Sequence, residues 1–368
     1  MKRLALLSAI SVFSFNGLSA LAAVQQPQER VEVAFVLDTT GSMADLIDGA
    51  KRKIWSIAST VVDTNPDADI AMALVAFRDR GDDYVVQTTP LTEDIQGLYG
   101  RLIKLEADGG GDTPESVNEA LDVAIKNLQW SSGDNVKRIV FLVGDAPPHM
   151  DYEQERQYPR ILKDAKQRDI IVNTVQAGDL YETTSIWKEI AQYGNGRYMA
   201  IPQSGGQVVV IVSPYDDEII ELQGELDRSV VPYGGLQQQD DVRRKMSEKS
   251  ASAPEVKLDN SKFYAKRSKK KEVITGGDLI GDVRNNGVEL GTIADSEMPE
   301  ELRSLSKDAR KGWLQDRVDK RTKLEGRMTD LITKRDAFVV DEQAKTKTSA
   351  NVDSFDRAVE DTLKLQLN

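Results

Sequence analysis

Cysteine is absent from all 368 residues, and histidine occurs once, at His149. The first absence excludes disulfides, thiolate nucleophiles, zinc–sulfur sites and anchoring through a lipidated cysteine. An oxidising compartment is thus permitted without being required. The second excludes a metal site built from several histidines, and any histidine-dependent triad would have to use His149. An excess of positive charge is also missing: 48 Lys and Arg stand against 60 Asp and Glu, a formal charge of −12. So acidic a chain is a poor general binder of nucleic acid or anionic lipid. No GxxxxGK[ST] phosphate loop occurs.

The amino terminus carries an export pattern. Lys2 and Arg3 precede an apolar stretch from Leu4 to Leu21, interrupted by Asn16, Gly17 and several serines. It ends in Ala20-Leu21-Ala22, a small-x-small cleavage site, so residues 1–22 are expected to be a signal peptide. Losing Lys2 and Arg3 would take the charge from −12 to −14. The mature protein is then expected to be periplasmic or secreted. No later apolar run is long enough to span a bilayer.

From residue 31 to 213, short apolar runs alternate with amphipathic stretches. The runs are VEVAFVL (31–37), IAMALVAF (70–77), RIVFLVG (138–144), IIVNTV (170–175) and RYMAI (197–201). Helical patterns lie near 44–62, 93–105, 114–129, 154–168 and 184–193, and YVVQTT (84–89) reads as an antiparallel edge strand. Strands and helices alternating at these lengths predict an α/β domain with a doubly wound, mostly parallel sheet. Beyond it, residues 214–297 read as a helix, a polar linker or solvated helix with a basic cluster at 262–272, and a glycine-punctuated short hairpin. Residues 298–368 read as an α-helical C-terminal extension. There Leu324, Leu331 and Phe338 share a face that Arg321 and Arg335 interrupt, which favours a helical hairpin or docking helix over a long coiled coil.

Three separated pieces suggest one site. In VAFVLDTTGSM (33–43) a buried strand ends in Asp38, and Thr40 and Ser42 alternate with it. GGGDTPES (109–116) is a glycine loop leading through Asp112 and Thr113 to a helix start, and FLVGDAPPH (141–149) is another buried strand ending in Asp145. Open α/β sheets place ligands at strand carboxyl ends where strand order reverses, and the first and third pieces would be neighbours there. Carboxylates and hydroxyls without nitrogen or sulfur select a hard cation. Asp38, Thr40, Ser42, Thr113 and Asp145, direct or through water, would fill most of a Mg²⁺ shell, with Mn²⁺ or Ca²⁺ as alternatives. Only two acids leave the ion electron-poor, so a carboxylate from a protein partner suits the last position.

These residues resemble the metal-ion-dependent adhesion site of von Willebrand factor A domains. That family ends its first strand in Asp-x-Ser/Thr-x-Ser, matched by Asp38, Thr40 and Ser42, and adds a loop threonine and a later aspartate, matched by Thr113 and Asp145. The DTTGSM and GGGDTPES spellings resemble its bacterial, hemicentin-like branch, and IAQYGNGRYMAI (190–201) resembles its closing helix and strand. The resemblance covers residues 31–213 and implies a non-enzymatic, metal-dependent protein-binding module of the cell envelope. MPEELRSLS (298–306) resembles the tails of exported bacterial proteins with this domain.

Blander readings stand beside these. DTTGS alone is often a helix cap, Thr113-Pro114 an ordinary helix start, and Asp145 a simple strand end. Asp112 and His149 are candidates for the ligand-binding rim, the plainer alternatives being a solvent-facing acid and a loop histidine. Asp112 and Glu115 could add charge near the ion, the plainer reading of both being solvent-facing or capping. The cluster Lys266, Arg267, Lys269, Lys270 and Lys271 would serve weak contact with an envelope surface or simply as a solvated linker. DTTGS also resembles the Asp-Lys-Thr-Gly-Thr of phosphoryl-transferring ATPases, but His149 stands where a second acid would be needed. A Mg²⁺-dependent hydrolase or phosphoryl transferase, and a scaffold whose tail binds the partner, remain the competing functions.

Overall fold

The computed structural model describes residues 29–345 and 355–367, apart from 112, 206–210, 268–271 and 286. The expected signal peptide, Asp112 and Lys269 to Lys271 lie outside the described residues. Six strands form one sheet: β1 (Arg30–Asp38), β2 (Asp69–Phe77), β3 (Val86–Thr92), β4 (Val136–Gly144), β5 (Ile170–Ala177) and β6 (Asn195–Ile201). Their order is β3-β2-β1-β4-β5-β6, parallel throughout except for β3, which runs antiparallel at the edge. β1 and β4 are therefore neighbours on either side of the order reversal, as the pattern requires.

The long apolar run of β1 follows from burial on both faces. Val31, Val33, Phe35 and Leu37 point into one core with helix α1 (Ala44–Thr64) and helix α2 (Ile95–Leu102). Ala34 and Val36 point the other way, toward α3 (Val117–Lys126), α4 (Tyr158–Gln167) and α5 (Tyr181–Tyr193). The expected helix at 114–129 begins only at Val117, so Pro114 lies in the loop before it.

After β6 the chain builds a helical layer: α6 (Asp216–Arg228), α7 (Leu236–Ala251), α8 (Pro254–Lys266), α9 (Leu279–Asn285), α10 (Glu300–Arg303) and α11 (Lys307–Lys345). The polar stretch at 236–256 is helical, and the glycine-punctuated stretch contains α9 rather than a hairpin. Here glycine marks turns: Gly276 and Gly277 have φ +71° and +85° just before α9. The charged C-terminal pattern is one continuous helix, α11, rather than a hairpin. Its Met328, Leu331 and Ile332 pack on Ile219, Leu222 and Leu226 of α6 and Leu258 of α8. Arg321 does not interrupt that seam from outside; it is fully buried and paired with Asp278.

The last helix, α12 (Phe355–Leu367), returns to the sheet domain. Val359 and Leu363 are fully buried in the same core as α1 and Trp55. Phe263 of α8 also meets Trp55, ring centroids 5.5 Å apart. Helix α1 is thus covered by the sheet on one side and by α8 and α12 on the other, which accounts for an apolar pattern wider than one stripe. The basic cluster takes part in this packing. Lys262 and Lys266 pair with Asp63 at 3.0 and 2.6 Å, and Arg267 is buried over the Phe263 ring. These described members face inward partners and not a free surface.

Candidate functional site

At the carboxyl end of β1, Asp38 is fully buried although it is an acid. Thr40 donates to Asp38 Oδ1 through both its amide (2.9 Å) and its hydroxyl (2.7 Å). Thr40 Oγ1 lies 3.4 Å from Ser42 Oγ, which is exposed, so the three side chains of the motif gather as one group. The other carboxylate oxygen, Asp38 Oδ2, is buried without a hydrogen-bond partner among the described residues. An unsatisfied buried carboxylate oxygen is costly unless something else meets it. Burial pushes the Asp38 carboxyl from 3.8 up to about 7; the bonds from Thr40 and the approach of the Asp145 amide work against the rise, and repulsion from the Asp145 carboxylate adds to it.

The glycine loop passes directly over this point. Gly41 donates to Gly109 O at 3.2 Å and Asp108 donates to Thr39 O at 3.1 Å. At Gly110, with φ +73°, a Cβ would come within 2.8 Å of Thr40 Cβ, so glycine is needed both for conformation and for space. On the other side, a Cβ on Gly144 would lie 2.9 Å from that of Asp38, which explains the small residue just before Asp145. Asp145 is half-buried; Gln203 donates to its Oδ2 at 2.7 Å and Thr183 to its main-chain oxygen at 2.9 Å. Thr113 is exposed at the end of the glycine loop. Glu115, two residues on, has its amide bonded to Pro147 O while its own carbonyl receives the His149 amide, both at 3.0 Å.

Glu115 itself is not solvent-facing. It is 3% exposed, its Oε2 has no partner among the described residues, and its carboxyl is pushed up to about 9. Burial is the main cause, followed by repulsion from Asp38, Asp79, Asp82 and Asp145. Asp79 and Asp82 come from the loop after β2, where no motif flagged them. Their signal in the sequence was only the acid-rich RDRGDD after an apolar strand. His149 is also not on an exposed rim. Its ring is buried and stacked 3.8 Å from the Tyr152 ring, with Nδ1 2.8 Å from Asp151 and Nε2 3.6 Å from Asp79. The Tyr152 stack and the Asp151 contact hold it there, while Nε2 makes no hydrogen bond among the described residues.

Residues 32–213 match the family described as von Willebrand factor A domain. The chain carries a von Willebrand factor A domain. It is 26% identical over 238 residues to mouse von Willebrand factor A domain-containing protein 7, covering 60% of this chain and 24% of that protein. It is 27% identical over 163 residues to the putative ariadne-like RING finger protein R811 of Acanthamoeba polyphaga mimivirus, covering 43% of this chain and 15% of that protein. An alpha-protein kinase vwkA from Dictyostelium discoideum is 27% identical over 122 residues, covering 33% of this chain and 19% of that protein. The chain thus spans less than a quarter of the length of these relatives. Among solved structures, the SpRpn10 VWA domain aligns with a TM-score of 0.35 at 15% identity, covering 50% of this chain and 100% of that domain.

The VWA domain therefore brings Asp38, Thr40 and Ser42 into one hydroxyl–carboxylate group, with Asp145 on the adjacent strand end and Gly109 and Gly110 packed against it, while no contact joins Thr113 to the group among the described residues. This donor set suits a hard divalent cation. The partnerless Asp38 Oδ2 is the observation that fits a cation best, because a positive charge there would meet the lone pair and offset the acid repulsion together.

Proposed function

We propose that the VWA domain is a non-enzymatic, metal-dependent protein-binding module. Asp38, Thr40, Ser42, Thr113 and Asp145 would hold Mg²⁺, directly or through water, and an acidic side chain of a protein partner would complete its shell. The unpartnered, fully buried Asp38 Oδ2 carries this reading. The metal would supply Lewis acidity toward the incoming carboxylate. The chain's own residues orient the site: Thr40 fixes one oxygen of Asp38, Gln203 fixes one of Asp145, and Gly109 holds the Gly41 amide. Phosphoryl transfer would require a basic residue near the reacting group. No Lys or Arg pairs with Asp38, Asp145 or Glu115 among the described residues. Export to the periplasm or beyond rests on the sequence of residues 1–22, and so does the assignment of the module to the cell envelope.

Calorimetric titration of Mg²⁺ and Mn²⁺ into the metal-stripped protein tests the centre. One saturable site, lost in Asp38→Ala with the fold retained by circular dichroism, is the expected result. Absence of binding in the wild type, or equal binding in the variant, would overturn it.

A further inference from the structure

Beside the metal face runs an open groove of about 670 Å³. Pro114, Pro147, Pro148 and Met150 line one side, and Tyr181 and Ile186 of α5 the other. Its floor consists of the two segments that carry Thr113 and Asp145, joined by the Glu115–Pro147 and His149–Glu115 main-chain bonds. Three consecutive-loop prolines present no N–H to a ligand, so the floor accepts apolar side chains and not a main chain seeking hydrogen bonds. Two of the groove's large side chains are exposed together, Met150 by 40% and Tyr181 by 79%. Clustered exposure of this kind marks interaction surfaces, whereas single exposed apolar residues do not.

The charge around the groove has one sign. Among the described residues lining it, Asp151 and Glu182 are the charged ones; both are exposed, and Asp151 Oδ1 also lies 2.8 Å from His149 Nδ1, which leaves Glu182 as the main anion for a partner. Glu182 has no ion-pair partner among the described residues. An anionic rim around an apolar floor selects a cation next to an apolar group.

We propose that this groove is the specificity pocket of the metal face. It takes a partner segment in which the acid offered to the metal is accompanied by a large apolar side chain and then by a lysine or arginine. The apolar group lies on the prolines against Tyr181, and the cation meets Glu182 and Asp151. The proposal rests on the metal-centre reading for the acid alone; the apolar and basic preferences come from the groove.

The test uses the full chain with synthetic peptides on a Gly-Ser background in Mg²⁺ or in chelator. One peptide carries Asp, Phe and Lys; another carries Asp only; a third replaces Asp with Asn while keeping Phe and Lys. In Mg²⁺ the Asp-Phe-Lys peptide is expected to bind about tenfold tighter than the acid-only peptide. Glu182→Lys should bring that ratio toward one, and replacing the peptide's Lys with Glu should restore it for that variant. Equal binding of the two acid peptides to wild type, a ratio insensitive to Glu182→Lys, or no peptide binding at all overturns the groove proposal. Metal-dependent binding of both acid peptides without a ratio would do so while leaving the metal centre standing. Conversely, binding of the Asn-Phe-Lys peptide in chelator, lost in Glu182→Lys, supports the groove and counts against the metal reading.

Discussion

Two regions of this chain bury carboxylates, and they treat them in opposite ways. In the C-terminal helical layer two buried acids are matched by arginines: Arg321 reaches Asp278 with both partners fully buried, and Arg335 Nε lies 2.8 Å from Asp216. Arg321 also donates through Nε to Ser229 Oγ at 2.8 Å, and Asp278 accepts the Val231 amide at 3.1 Å, so the remaining polar atoms are used. At the strand ends of the VWA domain, Asp38 and Glu115 are as deeply buried, have no such cation and keep one oxygen each unpartnered. A matched pair holds helices in register. Accumulated unmatched acid is unfavourable for folding and persists where function needs it. The charge pattern alone thus separates architecture from site.

The comparison breaks first at Arg321. Arg321→Met should destabilise the protein by about 3–5 kcal/mol in urea unfolding, because Asp278 is left charged inside a packed layer. The double variant Arg321→Met with Asp278→Asn, which retains an acceptor for Val231, should recover much of the loss. A single variant as stable as wild type would show that the pair does not hold this layer.

Asp38 should behave with the opposite sign. Its folded-state carboxyl is raised from 3.8 to about 7, so the metal-free native state holds the proton more tightly than the unfolded chain. This favourable contribution is present below about pH 4 and is lost as pH rises toward 7. Above that, Asp38→Asn should be more stable than wild type in chelator, by up to about 4 kcal/mol. The gap should close at acid pH. In excess Mg²⁺ at pH 8 wild type alone should gain stability, since the proposed centre requires the Asp38 carboxylate. Thermal melts at several pH values with and without chelator check both arms, and a variant less stable than wild type in chelator at pH 8 would contradict the reading.

Much of the sheet domain was legible because its periodicities are strong. Runs such as VEVAFVL and FLVG are buried on both faces, so strand position, the β1–β4 adjacency and the site end followed from pattern. What was missed depends on long-range burial, which local sequence does not display. Glu115 looks like any acid near a helix start until the Asp145 loop closes over it. His149 turns inward with its amide bonded to Glu115, 34 positions earlier, and its ring stacked on Tyr152. The helical layer was harder to read because its helices are polar on most positions and amphipathic only where they dock. Arg321 looked like an interruption of an apolar seam, since nothing nearby in sequence announces Asp278. The return of the last helix to α1 was equally hidden, since α8 and α12 meet it from 200 and 300 residues away.

That last helix allows the smallest and most local test. On β5, Asn173 is fully buried, and its amide pairs reciprocally with Gln366 of α12, at 3.1 Å from Nδ2 to Oε1 and 2.8 Å from Nε2 to Oδ1. Asn173 Oδ1 also receives the Arg197 amide of β6 at 2.9 Å, which anchors the pair to the sheet. This is a neutral version of the matched burial seen at Arg321, at a position that is only half-buried on the Gln366 side. Gln366→Ala leaves Asn173 Nδ2 without that acceptor, but water can approach from the helix end. The cost should therefore be about 1 kcal/mol, well below that of the buried ion pair. The loss should appear as faster amide exchange confined to α12 and the adjoining face of α1, with exchange in β4 and β5 unchanged, because Val359 and Leu363 still hold the helix to the core. Uniformly faster exchange across the sheet would mean instead that α12 is an integral part of the VWA domain's cooperative unit, tied to it as firmly as the central strands.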